Sequence, residues 1–205
     1  MSAYGDATVI AEMIGTGTAT SAGLEDRIAV MNQVVSALIE EKTGRTWTGA
    51  VVTPSTKTIY PTGGWSSVLA LPVPATTITG ITVSGTDEGS VITAGDTLDA
   101  VQWSVAIRNR LGEITAIRST TGAVWVGFRV VQITGTWADS QNAVPKEIEW
   151  VANYITAERI KQEQANPAGY VGPDGSVIPI RDPWSDTQVK AVIERHRLTS
   201  RELVL

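Results

Sequence analysis

The residues best suited to acid–base or metal chemistry in this sequence are its one histidine, His196, and two acidic pairs. His196 stands in a charged stretch and the chain has no cysteine, whereas a tetrahedral metal site needs several such ligands at set spacings. A serine nucleophile also needs a base, and no G-x-S-x-G turn accompanies this histidine. The acidic pairs, Asp87-Glu88 and Asp96 with Asp99, stand among Gly, Ser and Thr, which is typical of solvated turns. We therefore predict no metal, no cofactor and no enzymatic activity.

Two further patterns suggest ligand binding. The segment Gly15–Thr20, GTGTAT, has the glycines of a phosphate-binding loop, but it lacks the Gly-Lys-Ser/Thr ending and a preceding strand, so a linker is the better interpretation. Seven tryptophans raise the alternative of a carbohydrate-binding β-sandwich module, with Trp65, Trp103 and Trp125 as stacking platforms. Because Trp103 alternates toward the predicted inner face of a strand and aromatic side chains bury large areas, burial explains most of the tryptophans better.

Length and composition are those of a folded globular protein. The chain has 205 residues, 42% of them apolar, and no run of about 20 apolar residues that would span a bilayer, so we expect no membrane contact. Its formal net charge of −5 argues against binding that depends on neutralising nucleic-acid phosphates. The absence of cysteine agrees with folding in a reducing cytoplasm.

Two long helices are the elements expected to organise the fold. Pro145 suits the first position of one helix, which has apolar residues on more than one side and ends before Asn166. An earlier amphipathic stretch, Leu24–Thr43, carries its own apolar stripe. A short helix from Asp6 to Gly15 precedes it. We expect the two long helices to pack on each other from opposite ends of the chain.

Between the two long helices, the sequence period changes to that of strands. Thr- and Val-rich runs in Val51–Leu71 are interrupted by prolines, and a separate run, Ile78–Ser84, places Ile81 and Val83 on one side, so both stretches predict strands. Apolar and polar residues alternate in Val101–Arg108, which predicts a half-buried strand. Asn109–Gly112 then turns the chain into Glu113–Arg118, and Val124–Thr136 completes a predicted antiparallel meander.

The C-terminal part predicts an extended arm. Asn166–Trp184 contains four prolines, which exclude a helix, but it is too apolar for a simple linker. A last helix, with Ser185 as its cap, has an apolar edge too narrow to hold it alone. We therefore expect the chain from Asn166 onward to become ordered only on docking.

The predicted fold class is α+β. It comprises a helical bundle of two long antiparallel helices with short flanking helices, an antiparallel β-meander or sandwich inserted between the long helices, and an extended C-terminal arm. The predicted divisions are residues 1–50, the N-terminal helical part; 51–137, the inserted β domain; 138–165, the second core helix; and 166–205, the arm and C-terminal helix.

Four short motifs occur in a fixed order along the chain: TGRTW at Thr43–Trp47, LPVPATTITGITVSG at Leu71–Gly85, ITGTWA at Ile133–Ala138 and VPKEIEWVANYITAERI from Val144. In this order and spacing, they resemble the head-tail connector family of long-tailed bacteriophages. The likeness extends from Asp6 to Ile160, and the order and spacing of the motifs are more specific than any one of them.

This resemblance implies a structural virion protein: an adaptor that forms a ring of twelve copies beneath the portal, at the DNA-exit vertex of the filled head. The implied partners are further copies of the chain, the portal protein, a stopper or tail-completion protein, and packaged DNA that passes through the lumen without sequence-specific binding. The implied location is the neck of the virion, after assembly in the cytoplasm of the bacterial host.

Two sets of residues are predicted to make these contacts. The subunit-interface candidates are Trp150, Tyr154, Ala157, Tyr170, Ile178, Ile180 and Trp184. The portal-docking candidates form a basic end with an apolar tip: Arg195, Arg197, Arg201, Leu203, Val204 and Leu205. Behind both sets lies the expectation that the long helices present more apolar surface than one chain covers.

Overall fold

The computed structural model describes residues 3–16, 22–61, 66–84, 97–121, 125, 128, 130–164, 170–171, 177–178 and 182–198. The chain divides into two compact units: a helical unit, Met1–Gly49 with Asn142–Arg197, and a sheet unit that contains Ala50–Gln141. The predicted α+β class is confirmed, since the described residues form four α-helices and a five-stranded antiparallel sheet. No helix in these ranges is long and apolar enough to cross a membrane.

The elements follow one another in an order of helices, strands, one long helix and a short C-terminal part. In chain order they are α1 (Ala7–Ile14), α2 (Ala22–Thr43), β1 (Thr46–Trp47), β2 (Ser55–Ile59), β3 (Val68–Ser84), β4 (Trp103–Arg108), β5 (Ile114–Ser119), β6 (Val130–Trp137), β7 (Ser140–Gln141), α3 (Lys146–Gln164), β8 (Tyr170–Val171), β9 (Val177–Ile178), a 3₁₀ turn (Pro183–Ser185) and α4 (Thr187–His196).

Helix α1 begins and ends at the predicted residues. The carboxylate of Asp6 accepts hydrogen bonds from the backbone N–H groups of Thr8, at 2.8 Å, and Val9, at 3.3 Å. Gly15 closes the helix with a φ of 91°, a left-handed conformation that costs a glycine little. The predicted short helix is therefore confirmed, with both of its caps.

Helix α3 begins one residue later than the sequence predicts. The carbonyl of Pro145 accepts a 3.0 Å bond from the N–H of Glu149, so the proline is the capping residue and Lys146 is the first helical one. The buried residues of α3 are spread over several sides of the helix: Ile148, Val151, Ala152, Asn153, Ile155, Thr156, Ala157 and Ile160. Burial on more than one side is thus confirmed, and it is provided by other helices of the same chain.

The buried face of α2 is partly polar. Its buried residues are Ile28, Asn32, Val35, Ser36, Ile39 and Thr43. Asn32 holds the start of the chain, because its side chain accepts a 3.0 Å bond from the N–H of Gly5 and donates a 2.8 Å bond to the carbonyl of the same glycine. Val34 lies outside this buried face and is 49% exposed.

The segment after the 3₁₀ turn packs on its own chain, which corrects the expectation that it becomes ordered only on docking. Val189 and Ile193 of α4 are buried in an apolar cluster with residues of α2 and α3. Asp186, rather than Ser185, caps α4, because its carboxylate accepts a 2.7 Å bond from the N–H of Gln188. The edge of α4 is narrow, but three partners surround it: α2, α3 and the 3₁₀ turn. Before the turn, β8 and β9 pair antiparallel.

The main sheet has the strand order β2-β6-β3-β5-β4. Strands β4 and β5 form the predicted hairpin, whose turn closes with a 2.9 Å bond from the N–H of Asn109 to the carbonyl of Glu113. The prediction that the meander continues directly from β5 to β6 is wrong, because β3 lies between these two strands. The first half of β3 pairs with β5, and the second half, from Ala75 to Ser84, pairs with β6.

Strand β3 is continuous where the sequence predicts two separate runs. Its 17 residues include Pro72 and Pro74, which interrupt the apolar pattern. Both prolines lie where the pairing with β5 shifts register, between Ala70 and Ala75. A register irregularity is the part of a sheet that tolerates the missing N–H of proline. The prolines therefore mark a bulge and do not end the strand.

The apolar face of β4 is exposed, which corrects the prediction of a half-buried strand. Val105 and Ile107 are exposed, and Val101, just before the strand, is 80% exposed. Of the four apolar residues that alternate along this stretch, Trp103 is the one that packs against the core of the sheet unit, where it is half-buried. Alternation identifies residues that share a face of a strand, but it does not show whether another element covers that face.

Candidate assembly surfaces

His196 is a structural residue at the end of α4. It is buried, its Nε2 lies 3.2 Å from Oε2 of Glu147, and its ring centroid lies 6.3 Å from that of Trp47. The buried Arg45 donates a hydrogen bond from Nε to the backbone carbonyl of His196. Burial lowers the pKa of His196 below its ordinary value, although the carboxylate of Glu147 acts in the opposite direction. A packed imidazole of this kind joins α4 to the helical core.

The described residues contain no cluster of metal-binding side chains. No group of three or more His, Cys, Asp or Glu residues among them could hold a metal ion. Asp99 is exposed, and its N–H donates a 2.7 Å bond to Oε1 of Gln102 within a turn. The other three acidic candidates, Asp87, Glu88 and Asp96, lie outside the described residues.

The tryptophans proposed as sugar platforms do not form an exposed row. Trp125 is buried, and its indole N–H donates a 2.7 Å bond to the carbonyl of Ser67. Trp103 is half-buried against the sheet core, and Trp65 lies outside the described residues, as do residues 17–20 of the glycine-bearing segment. Because a buried indole cannot stack on a sugar, the carbohydrate-binding alternative loses Trp125.

Helix α2 carries an exposed apolar face between two acidic residues. Val30 and Val34 are 62% and 49% exposed. Asp26 and Glu41, also exposed, lie near the two ends of the helix, and neither forms an ion pair in the part of the chain that is described. At the α-helical rotation per residue, all four side chains and that of Ala37 fall within an arc of roughly 80°. They therefore form one surface, which we call the α2 face.

A groove of about 550 Å³ lies beside the α2 face, between α2 and α3. Met31, Val34 and Leu38 of α2 line its apolar side together with Trp184, and Arg159 of α3 lies on the opposite side. The predicted interface candidate Trp184 is half-buried in this lining, where Lys42 Nζ lies 5.0 Å from the centroid of its ring. The groove extends the exposed apolar surface of α2 toward α3.

The remaining interface candidates have different environments. Trp150 and Tyr154 stack with centroids 5.6 Å apart and planes 8° apart, and both are half-buried against the helical core. Ala157 is 1% exposed in a cluster of α1, α2 and α3, so its side chain is not available to another copy. The side chains of three candidates lie outside the described residues: Tyr170, Ile178 and Ile180.

Two of the portal-docking candidates are described, and both are already paired within the chain. Arg195 forms an ion pair with Glu147, and Arg197 forms one of 3.3 Å with Glu194. These side chains are largely exposed, so such pairs contribute little stability and a partner can replace them. Four candidates lie outside the described residues: Arg201, Leu203, Val204 and Leu205.

The hairpin of β4 and β5 forms a second exposed surface, apolar in part and basic in part, which we call the β4 surface. Its exposed apolar residues are Val101, Val105 and Ile107. Its exposed basic residues are Arg108, Arg110 and Arg118, and none of them forms an ion pair within the described ranges. β4 is also the last strand of the sheet, so one edge of its backbone has no strand beside it among those described.

Sequence reasoning missed both surfaces. The apolar stripe of Leu24–Thr43 does not by itself single out Val30 and Val34, although the two valines stand one helical turn apart. Sequence reasoning also did not identify the three arginines of one hairpin as a group. The spacing of the two valines was the available signal for the α2 face. No local signal shows that the apolar side of β4 stays uncovered.

No protein-family model matches this sequence, and no curated protein matches it. Among solved structures, a chain from the neck of an empty gene transfer agent particle, computed with C6 symmetry, matches with a TM-score of 0.43 and 16% identity, over 94% of this chain and 89% of that chain. A chain from the neck of the native gene transfer agent particle, computed with C12 symmetry, matches with a TM-score of 0.39 and 18% identity, over 97% of this chain and 93% of that chain. A chain from the virion of the native particle matches with a TM-score of 0.40 and 18% identity, over 95% of this chain and 92% of that chain.

Proposed function

We propose that this protein is a structural, non-enzymatic component of a virion neck. It is a head-to-tail adaptor that forms a ring beneath the portal, of twelve copies as the sequence resemblance implies, extends the DNA channel and offers the stopper or tail a docking platform. The observation that carries the proposal is the α2 face, where Val30 and Val34 stay exposed beside an otherwise packed helical core.

The α2 face is what a ring contact requires of a single chain. Covering a large apolar side chain contributes roughly 1.5–3 kcal/mol, and the adjoining groove adds Met31, Leu38 and Trp184 to the area available. In the proposed bundle, α2 and α3 run antiparallel, with one side of α2 on α3 and the other side toward a neighbouring copy. A ring of identical copies forms when two different patches of one chain meet head to tail.

The half-buried aromatic residues fit the same arrangement. Nine positions, or about two and a half helical turns, separate Trp150 from Arg159, so the Trp150–Tyr154 stack and the groove lie on roughly opposite sides of α3. We assign Trp150, Tyr154 and Trp184 to contacts between copies. We assign the portal contact to the basic C-terminal end, where Arg195 and Arg197 precede residues 199–205.

The charge of the chain suits a channel that DNA passes through. The formal net charge is −5, and tight binding to DNA requires many Lys and Arg contacts with phosphates. A ring with this charge guides DNA without gripping it. This also separates the proposed role from that of a protein that packages or condenses DNA.

The test is to co-express the chain with the portal protein encoded in the same genome, purify the complex through a tag on the portal, and image it by electron microscopy. We expect one ring of this chain on one end of the portal. Val34→Glu should fold, since this side chain is half exposed, but should lose the ring. The matched control is Val51→Glu, at an exposed valine of the sheet unit, which should retain it.

A second variant tests the portal contact separately. Deleting residues 199–205 leaves α4 and its cap intact. We expect this deletion to reduce binding to the portal without changing the thermal stability of the chain. A wild-type chain that does not co-purify with the portal, or that binds it without forming a ring, would contradict the proposed function.

A further inference from the structure

The sheet unit and the helical unit each carry an apolar surface that the described residues leave exposed, and these two surfaces are complementary. We infer that, in the ring proposed above, the β4 surface of one copy covers the α2 face of the next copy. The inference rests on the proposed function, because it assigns the two patches that meet at each contact. It also assigns a role to the inserted sheet, which the sequence resemblance leaves without one.

The β4 surface has the properties of an unfinished interface. Edge strands of stable monomers are protected by charges, prolines or a covering element, because exposed strand edges promote association. Strand β4 has no proline, and its only charged residue is the last one, Arg108. Val105 and Ile107 are exposed along the strand, and Val101 precedes it. This combination favours association with another surface that covers the strand.

The α2 face matches the β4 surface in polarity. Its centre is apolar, with Val30 and Val34 exposed, as the centre of the β4 surface is. Covering these residues together removes apolar area from water on both sides of the contact. Each surface alone is small for a stable interface, whereas the groove beside Val34 supplies further area.

The two surfaces also match in charge. Asp26 and Glu41 flank the valines of the α2 face, while three arginines flank the apolar residues of the β4 surface: Arg108, Arg110 and Arg118. All five are exposed and form no ion pair in the described part of the chain. Opposite charges at the rim of an interface fix its register and exclude wrong partners. A chain with a net charge of −5 would repel itself on contact unless basic groups met acidic ones in this way.

The dimensions of the two surfaces agree. The six residues of β4 extend about 20 Å at the usual rise of a strand. The distance along α2 from Asp26 to Glu41 is about 22 Å at the usual rise of a helix. A strand laid along the helix therefore places its ends near the two acidic residues.

A second copy of the chain is the occupant because the contact has to repeat. The described residues of a single chain leave the valines of both surfaces exposed. The patches differ from each other, which makes the contact heterologous and allows each copy to have two neighbours. Two β4 surfaces facing each other would instead place like charges together and would end at a dimer.

Disulfide cross-linking on the portal complex tests the contact directly, because the natural chain has no cysteine. The variant Val34→Cys/Val105→Cys should give a covalent ladder that extends beyond the dimer after mild oxidation. The matched control, Val34→Cys/Val51→Cys, places the second cysteine at a more exposed valine of the same sheet unit and should give no ladder. Each single variant should remain monomeric on a denaturing gel, and mixing the two single variants should give dimers only.

Charge exchange provides a second readout that does not depend on oxidation. Arg110→Glu and Glu41→Lys should each prevent rings at the lowest protein concentration at which the wild type assembles. The double variant Arg110→Glu/Glu41→Lys should recover them, since it restores an opposite pair with the signs exchanged. Loss of rings in the double variant would overturn the charge match.

The outcomes separate this inference from the function on which it rests. Rings on the portal without a Val34–Val105 ladder would overturn the inference and leave the adaptor function standing. A cross-link that forms within one chain would overturn the choice of a second copy, and dimers from Val105→Cys alone would show two β4 surfaces facing each other. The absence of rings with the wild-type chain would overturn both.

Discussion

Asn153 on α3 accepts a hydrogen bond of 2.7 Å from the backbone N–H of Asp6, the residue that caps α1. Asn32 on α2 holds the preceding residue, Gly5, through both its N–H and its carbonyl. Two buried amides on the two long helices therefore fix the start of the chain. Because buried polar groups are costly unless paired, this network specifies where α1 lies within the helical unit.

The first prediction concerns Gly5, which lies between these amides. A Cβ atom at Gly5 would lie 2.6 Å from Oδ1 of Asn153 and 2.9 Å from Oδ1 of Asn32. Neither amide can move aside without losing its hydrogen bonds. We expect Gly5→Ala to lower the free energy of unfolding by about 1–3 kcal/mol, measured by urea denaturation. The control Gly23→Ala has open space around it in α2 and should raise the free energy by up to about 1 kcal/mol. Effects of the same sign would contradict the proposed clamp.

The second prediction concerns Gly135 in β6, which is opposite Ile78 in β3. A Cβ atom at Gly135 would lie 2.2 Å from the carbonyl oxygen of Thr77, a backbone atom that cannot rotate away as a side chain can. We expect Gly135→Ala to lower the free energy of unfolding by about 3 kcal/mol or more. Gly80→Ala, in the partner strand with open space around it, should change it by less than about 1 kcal/mol. A tolerated Gly135→Ala would show that β3 and β6 are further apart.

The features that the sequence predicts correctly are those set by neighbouring residues. The caps at Asp6 and Gly15 and the turn at Asn109–Gly112 each depend on chemistry within four or five positions. The position of β3 between β5 and β6 depends on pairing across tens of residues, and alternation carries no information about the partner strand. The predicted meander and the predicted burial of β4 were both wrong because each depends on contacts between distant parts of the chain.

The candidate surfaces could be predicted only in part for the same reason. An amphipathic pattern shows that α2 buries one side, but its polar anchors, Asn32 among them, decide which side that is. Asn32 holds Gly5, which lies 27 positions away in the sequence. The sequence therefore indicates that α2 has more apolar residues than one buried face holds. Contacts between distant parts of the chain determine that Val30 and Val34 are the ones that remain exposed.

The third prediction compares two buried threonines on the long helices. Oγ1 of Thr156 is buried and has no hydrogen-bond partner within the described residues. Oγ1 of Thr43 donates a 2.7 Å bond to the carbonyl of Ile39 and accepts a 3.3 Å bond from the N–H of Arg45. We expect Thr156→Val to raise the free energy of unfolding by about 1 kcal/mol and Thr43→Val to lower it by about 1–2 kcal/mol. The two substitutions change shape equally, so opposite signs in urea denaturation isolate the hydrogen bonds. A destabilising Thr156→Val would indicate that this hydroxyl has a partner.

The fourth prediction is a dependence of stability on pH that comes from His196. Burial lowers the pKa of this imidazole in the folded chain below its ordinary value of 6.5, so the folded state binds fewer protons than the unfolded state. Stability should therefore be complete above pH 6.5 and should fall as the pH drops through the interval between the two pKa values. His196→Gln should remove this part of the fall, measured by urea denaturation at pH 5, 6, 7 and 8.

Three charged groups near His196 change its pKa in opposite directions. The direction in which stability changes with pH therefore shows whether the attraction of Glu147 or the effect of burial is larger. Glu147, 3.2 Å from Nε2, raises the pKa of His196, whereas Arg45 and Arg195 add to the lowering that burial causes. Because His196 is the only histidine, its ring protons give one resolved titration by NMR. An apparent pKa above 6.5, or a wild-type chain that gains stability between pH 7 and pH 5, would show that the attraction of Glu147 outweighs burial. A Glu147→Gln variant should lower the pKa of His196 in either case, because it removes the neighbouring carboxylate that favours the protonated ring.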